Sequence, residues 1–330
     1  MSLALSAGQK LSLTNQIRTI SKALFPHWAL WLLVFSLVNV NTMVILANPR
    51  LSMVPFGFAQ NYLFCGVAIV LAIMRTIRAS AFDGILHRLW ALVMTTALAA
   101  ILSLNLQTFS HLALMTDLPF VDETLLSWDK SLGFDWLAYS KFMTASPSVF
   151  HVLFFAYNSL TFLSLKVLAV CFVVLQMNKR CVELFFLMLT GLVCACIGVF
   201  FPSHGTLFTL ADPELISRMG IGNASSMVAE LEAYRGNGSV WVDPLQMQGL
   251  VSFPSFHTCM AITAAWCSRG RWFTLLPGCT LASTILVGTP IFGGHYLVDV
   301  FGGAVIALFF IWIWTAHVSK LIAPHHTLQA

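Results

Sequence analysis

The chain has 330 residues, of which 58% are hydrophobic and only 9% charged, with 27 Phe, 10 Trp and a net charge of +4. Soluble domains carry about a quarter of their residues as charges, so this composition excludes a water-soluble globular protein. It indicates an all-α polytopic membrane protein with membrane lipids as its surroundings and no nucleic-acid partner.

Residues 1–25 form a polar lead carrying Lys10, Arg18 and Lys22. It suits either a helix lying on the anionic cytoplasmic leaflet or a partly disordered tail. The apolar run from Pro26 to Ala47 that follows is long enough to cross ~30 Å of hydrocarbon. It is therefore expected to be a retained first helix rather than the short core of a signal peptide. Further apolar stretches run from Tyr62 to Met74, Leu89 to Leu112, Ser148 to Met177, Leu184 to Phe201, Pro254 to Cys267, Trp272 to Thr289 and His295 to Ala316. The expectation is thus about eight transmembrane helices, the second and sixth short. Residues 26–88 hold two N-terminal helices, 89–320 a bundle, and 321–330 a tail.

Two connections are long enough for structure of their own. Segment 116–147 contains a periodic stretch from Asp122 to Phe142, which predicts one or two surface helices. Segment 202–253 holds Gly205, Gly220, Gly222, Gly236 and Gly238 among its glycines and a helical core near Ala224 to Tyr234. A connection of that length in a compact bundle is expected to be a lid or a substrate-binding element.

Charge tests this arrangement independently. Segments on the N-terminal side carry eleven basic residues, among them Arg75, Arg78, Arg88, Arg180 and Arg269, against two acids, Asp83 and Glu183. The opposite segments carry five basic residues against ten acids. The positive-inside rule then places both termini in the cytoplasm. Lys166 and Asp299 remain, both inside expected spans. Ionisable groups at that depth cost roughly 2.5 to 3.5 kcal/mol on insertion scales and usually carry a role. For Lys166, snorkelling or pairing within the bundle is the expectation.

The eight cysteines lie in or at the ends of expected spans, so no disulfide framework is indicated. Cys194 and Cys196 point to different faces of a regular helix. His27, His87, His111, His151, His325 and His326 show no partner pattern.

Chemistry concentrates in two polar motifs of the apolar C-terminal third, Ser252-Phe-Pro-Ser-Phe-His257 and Gly293-Gly-His-Tyr-Leu-Val-Asp299. Pro254 suits a first helical turn with Ser252 as its cap. Such a turn offers free backbone N–H groups to a phosphate. Ser255 adds a hydroxyl and His257 an imidazole, although a capped helix start with a helix-end histidine has the same pattern. His295 and Asp299 are four apart, so on a helix the carboxylate can fix the imidazole tautomer and leave the other nitrogen nucleophilic. A buried polar pair closing a helix end is the alternative. Gly293 and Gly294 permit a tight turn and close backbone approach to a ligand. By the charge-derived topology, Ser255, His257 and His295 fall on one face of the membrane.

These motifs resemble the type 2 phosphatidic acid phosphatase superfamily, and within it the inositol phosphorylceramide synthase-like branch. The resemblance rests on Pro254-Ser-Phe-His257 and on Gly294-His-Tyr-Leu-Val-Asp299 followed by Gly302-Gly303. Weaker agreement lies at Asp129-Lys-Ser-Leu-Gly133, Ala156-Tyr-Asn-Ser159 and Phe201-Pro-Ser-His204. The resemblance implies a six-helix core preceded by two added helices. It implies His295 as nucleophile, Asp299 as its orienter, His257 as general acid, and Ser255 with nearby amides such as Gly294 as phosphate ligands. It implies no metal and no cofactor. The superfamily's Lys and Arg-Pro pair are missing here, and Thr289 stands where an Arg is usual. His204, Arg218 and Arg235 are the candidate replacement cations, His204 foremost.

The expected function is a lipid phosphate phosphatase or phosphotransferase working through a phosphohistidine. Its site faces the periplasm or another non-cytoplasmic space, with a bacterial inner membrane as the expected location. Water as acceptor gives hydrolysis, and an alcohol gives head-group transfer. A non-catalytic lipid-binding or transport protein, and a metal site built from His204, His257, His295 and Asp299, are the alternatives.

Overall fold

A computed structural model describes residues 27–53, 62–63, 66–67, 85–160, 178–219, 224–244, 247 and 249–321. The basic lead, most of the second expected span, Lys166, the later half of the fourth span and most of the tail lie outside the described residues.

Hydrocarbon offers no partner for backbone N–H and C=O groups, so the apolar runs become helices. They are α1 (His27–Ala47), α2 (Ile85–Ala113), α5 (Pro147–Ser159), α6 (Asn178–Met188), α7 (Thr190–Gly198), α11 (Phe256–Cys267), α12 (Trp272–Phe292) and α13 (Leu297–Ile313), the last continued by a π-helical turn over Trp314–Val318. Shorter helices lie between them: α3 (Asp122–Ser131), α4 (Trp136–Thr144), α8 (Thr206–Thr209), α9 (Pro213–Met219) and α10 (Ala224–Arg235). Strands β1 (Leu51–Met53) and β2 (Val240–Val242) pair in parallel.

Among the described residues, four helical stretches are long and apolar enough to cross a membrane: Val93–Ala113, Lys179–Gly198, Trp272–Phe292 and Leu297–Val318. The sixth expected span is short, as its apolar run of Pro254 to Cys267 indicates. Its helix, α11, has 12 residues, about 18 Å at 1.5 Å per residue, short of the ~30 Å core. The chain enters it through an irregular segment that places Ser252 and Pro254 ahead of the helix rather than within it.

That short helix is the centre of the bundle. It packs on α12, α13, α6 and α7, and Cys259, Met260 and Ala261 are buried with Leu102 of α2, Leu184 and Phe185 of α6, Ile285 of α12 and Ala307 of α13. At its C-terminal end Glu183 is fully buried and accepts from Arg180 at 2.9 Å, Arg269 at 2.6 Å and the Trp266 indole at 2.8 Å. Two guanidinium partners make this buried carboxylate tolerable, and removing both would strand its charge.

The other end of α11 lies beneath a cap. Leu51, Met53, Val240 and Val242 bury against Leu231 and Tyr234 of α10 and Met247. Arg50 donates to the carbonyls of Gly238, Ala233 and Tyr234, and His111 at the end of α2 stands 3.2 Å from Glu230 of α10. Segment 202–253 is thereby fastened to the N-terminal helices. On the opposite flank Trp136 and Tyr139 of α4 donate to the Pro290 and Val287 carbonyls of α12, at 2.7 and 2.8 Å.

Candidate active site

The two polar motifs meet where α11 and α13 begin. Ser255, not Ser252, is the N-cap of α11, its Oγ accepting from Thr258 N at 3.4 Å. Ser252 instead donates to Asp299 Oδ2 at 2.7 Å. The cap moved three residues on because Pro254 stays outside the helix, which first turns at Phe256.

His295 and Asp299 also meet differently from the helical-face expectation. Helix α13 starts at Leu297, so His295 precedes it and Asp299 sits in its first turn. The Asp299 carboxylate bends back, accepting from Tyr296 N at 3.0 Å, and its Oδ2 lies 3.2 Å from His295 Nδ1. This is a helix-start arrangement, with an acidic side chain at the positive end of the dipole. His295 Nε2 lies 3.2 Å from Ser255 Oγ, and Ser255 N donates to the Asp299 carbonyl at 3.0 Å. Ser255, His295 and Asp299 are all buried.

His257 stacks on Tyr157 of α5, with centroids 4.1 Å apart and an interplanar angle of 14°. Its Nδ1 is 3.2 Å from the Tyr157 hydroxyl. A Tyr O–H donating to Nδ1 leaves the His257 proton on Nε2. By the same logic, Nδ1–H of His295 directed at Asp299 leaves Nε2 with its lone pair.

Helix α3 supplies the outer support. Asp122 and Asp129 are seven residues apart and so share a helical face. Asp129 accepts from Leu297 N at 2.8 Å and Val298 N at 3.0 Å, capping α13 from another element. Burial pushes its carboxyl above the ordinary aspartate range, while those two amides pull it partway back. Asp122 accepts from Ser203 Oγ at 2.7 Å, from the His204 and Gly205 amides at 3.1 Å each, and from Tyr296 OH at 3.1 Å. Its Oδ2 lies 3.2 Å from His204 Nδ1. The His204 ring rests on Phe120, centroids 3.7 Å apart, and its Nε2 is 4.0 Å from Glu232.

These groups border a cavity of about 400 Å³ that His204, His257, His295, Ser252, Tyr157 and Gly293 help to line. Gly293 lines the cavity, and a Cβ there would collide with the His295 ring and the Tyr157 hydroxyl. Gly294 lies behind it at φ +59°, its carbonyl accepting from Thr206 N at 2.7 Å. Gly205, at φ +81°, presses so close to that carbonyl that a Cβ would not fit.

Arg235 is occupied elsewhere, donating to the Leu118 carbonyl and lying 4.3 Å over the Phe120 ring. The Arg218 side chain is outside the described residues. Among the described residues no three His, Cys, Asp or Glu side chains are placed to hold a metal ion. The sequence alone left Tyr157, Asp122 and Asp129 without roles. The seven-residue spacing of the two aspartates on a periodic stretch is the one signal that points to a shared face.

A bundle with membrane-length apolar helices, holding an imidazole–carboxylate pair at the wall of a cavity, defines a membrane protein built around a histidine site. A family model described as the PAP2 superfamily matches residues 123–313, and the chain belongs to that superfamily. Membership supports a phosphatase-type function on lipid phosphates. No curated protein and no solved structure matches the chain.

Proposed function

We propose that the protein is a metal-independent lipid phosphate phosphatase or phosphotransferase that works through a phosphohistidine on His295. The observation that carries this reading is the commitment of both His295 ring nitrogens at a cavity wall, Nδ1 to Asp299 and Nε2 to the rotatable Ser255 hydroxyl.

In the first step the Nε2 lone pair of His295 attacks phosphorus and the bond from phosphorus to the ester oxygen breaks. His257, protonated on both ring nitrogens when substrate is bound and with Nδ1–H then donating to the Tyr157 oxygen, gives its Nε2 proton to the departing oxygen and is left neutral. Asp299 holds the imidazolium that forms. In the second step water or an alcohol gives its proton to His257 and bonds to phosphorus, and the P–N bond returns its electrons to His295. Ser255 turns its hydroxyl from Nε2 to a phosphate oxygen, and His204, held by Asp122, supplies positive charge when protonated. The Gly293-Gly294 turn keeps backbone close to the phosphate without a side chain between.

The same reading keeps the eight-span topology, with both termini in the cytoplasm and the site facing the periplasm. The charge bias of the segments supports it. Head-group transfer is the second reading, favoured by a cavity that continues well past the histidines to Ser103 of α2.

The test is phosphate release by the purified protein in detergent from lipid phosphates and diphosphates, with and without EDTA, beside His295→Ala. Release that survives EDTA and vanishes in His295→Ala, with an acid-labile phosphoprotein trapped in the native chain, is expected. Release unchanged in His295→Ala overturns the mechanism. No release with any lipid acceptor present favours a lipid-binding role.

A further inference from the structure

The cavity reaches beyond the histidines into a slot walled by α2, α7 and α10, and α2 lies outside the 123–313 stretch that matches the superfamily. Ser103, Gln107 and Ser110 of α2 line it. Their spacing of four and then three residues puts them on one face of the helix. Counting 1.5 Å per residue, Ser103 stands about 15 Å down the helix from its end at Ala113.

Polar groups at such depth are normally satisfied by other protein groups. Asn105 of the same helix behaves that way, its side-chain amide donating to the Ile101 carbonyl at 2.9 Å and its Oδ1 accepting from Asn41 of α1 at 3.3 Å, with both asparagines buried. Of the three cavity-facing residues, Ser110 does too, its hydroxyl donating to the Gln107 carbonyl at 2.7 Å, whereas the other two are less engaged. Ser103 hydrogen-bonds to no described residue, and Gln107 reaches the Met247 carbonyl only at 3.4 Å. Around them the slot is apolar, with Leu106, Met188, Ala195, Leu231 and Leu250. None of the described residues lining the cavity is Asp, Glu, Lys or Arg.

We propose that Ser103, Gln107 and Ser110 form a specificity subsite for an uncharged, hydroxyl-bearing group next to the transferred phosphate. The group belongs either to the head group of the donor ester or to the alcohol acceptor. The proposal rests on the phosphoryl-transfer reading above. The stripe offers such a group the Gln107 amide, the Ser103 hydroxyl and the acceptor lone pairs of Ser110, whose own proton goes to the Gln107 carbonyl. An ammonium-bearing head group would lose its water there and find no carboxylate in exchange, and a buried charge without a partner is strongly disfavoured. Because α2 lies outside the matched region, the phosphate chemistry and the choice of its neighbour reside on separate parts of the chain.

The experiment compares phosphatidylglycerol with phosphatidylethanolamine of identical acyl chains in the full-length protein. Both turnover and equilibrium binding by competition with a fluorescent lipid are measured, for the native chain, Gln107→Leu and Ser103→Ala. A second arm uses phosphatidic acid as donor with glycerol or ethanolamine as acceptor, which separates donor from acceptor recognition. A preference of about tenfold for the hydroxylated compound in one arm, falling below twofold in Gln107→Leu, is expected. An equal response to both compounds, or a preference that survives both substitutions, overturns the subsite. No turnover of either compound by the native chain, together with a binding preference that Gln107→Leu abolishes, instead overturns the phosphohistidine reading and leaves the subsite standing. Circular dichroism and gel filtration verify that the variants fold, and Gln107→Asn serves as the conservative rescue.

Discussion

The carboxylate of Asp299 reaches back out of α13 to His295, 3.2 Å from Nδ1, and accepts the Ser252 hydroxyl at 2.7 Å on the same oxygen. One oxygen therefore ties the imidazole to the entry of α11. Asp299→Asn presents a group that can donate as well as accept and no longer holds the imidazolium. It is expected to lower kcat by roughly 10²-fold or more, as loss of the orienting carboxylate does in histidine-centred hydrolysis. Phosphoprotein trapping checks it: phosphorylated His295 should accumulate more slowly, with the chain still folded.

Gly293→Ala places a methyl against the His295 ring and the Tyr157 hydroxyl. The expected outcome is loss of at least 10²-fold in kcat/KM, because displacing a reacting group by about 1 Å has that effect. A thermal melt beside the rate assay separates blocked chemistry from unfolding. Gly238→Ala, where a Cβ meets nothing within 4 Å, is the matched control and should retain activity.

Asp122 and His204 should behave as one unit. Asp122 orients the His204 ring and holds the turn on either side of it. His204→Ala and Asp122→Asn are each expected to raise KM several-fold. Their combination should be little worse than the more damaging single change, the mark of a shared interaction. Full additivity in a double-mutant cycle would separate them. His204→Lys restoring KM would identify positive charge as the imidazole's contribution.

Asp129 gives a stability prediction with a defined sign. Its carboxyl titrates above the ordinary value in the folded protein, chiefly because it is buried. From the unfolded value of ~3.9 up to that raised one, the folded state holds more protons than the unfolded state. Stability therefore falls as pH rises through that window. Asp129→Asn removes this dependence while losing one acceptor to the α13 amides. The Tm of Asp129→Asn minus that of the native chain should rise with pH across the window and then level off.

Composition and periodicity were sufficient for the membrane class and for the helical elements that lie in long apolar runs, because a backbone in hydrocarbon has no other way to satisfy itself. The two surface helices of segment 116–147 and the helix at Ala224–Arg235 likewise follow from periodic stretches. The histidines, Ser255 and Asp299 were legible because polar residues in so apolar a third stand out. Their contacts were not, since they depend on where α11 and α13 start: Ser255 rather than Ser252 caps one, and His295 precedes the other.

The support from α3 and the α2 wall of the cavity became visible only in three dimensions. Asp129 sits 168 residues before the amide it caps. Asp122 precedes the tyrosine that shares its carboxylate by 174. Neither distance leaves a local pattern. Short-range rules report which face of a helix a residue occupies, whereas the partner of that face is settled by how helices pack, and it is packing that brings Ser103, Gln107 and Ser110 to the same cavity as His295.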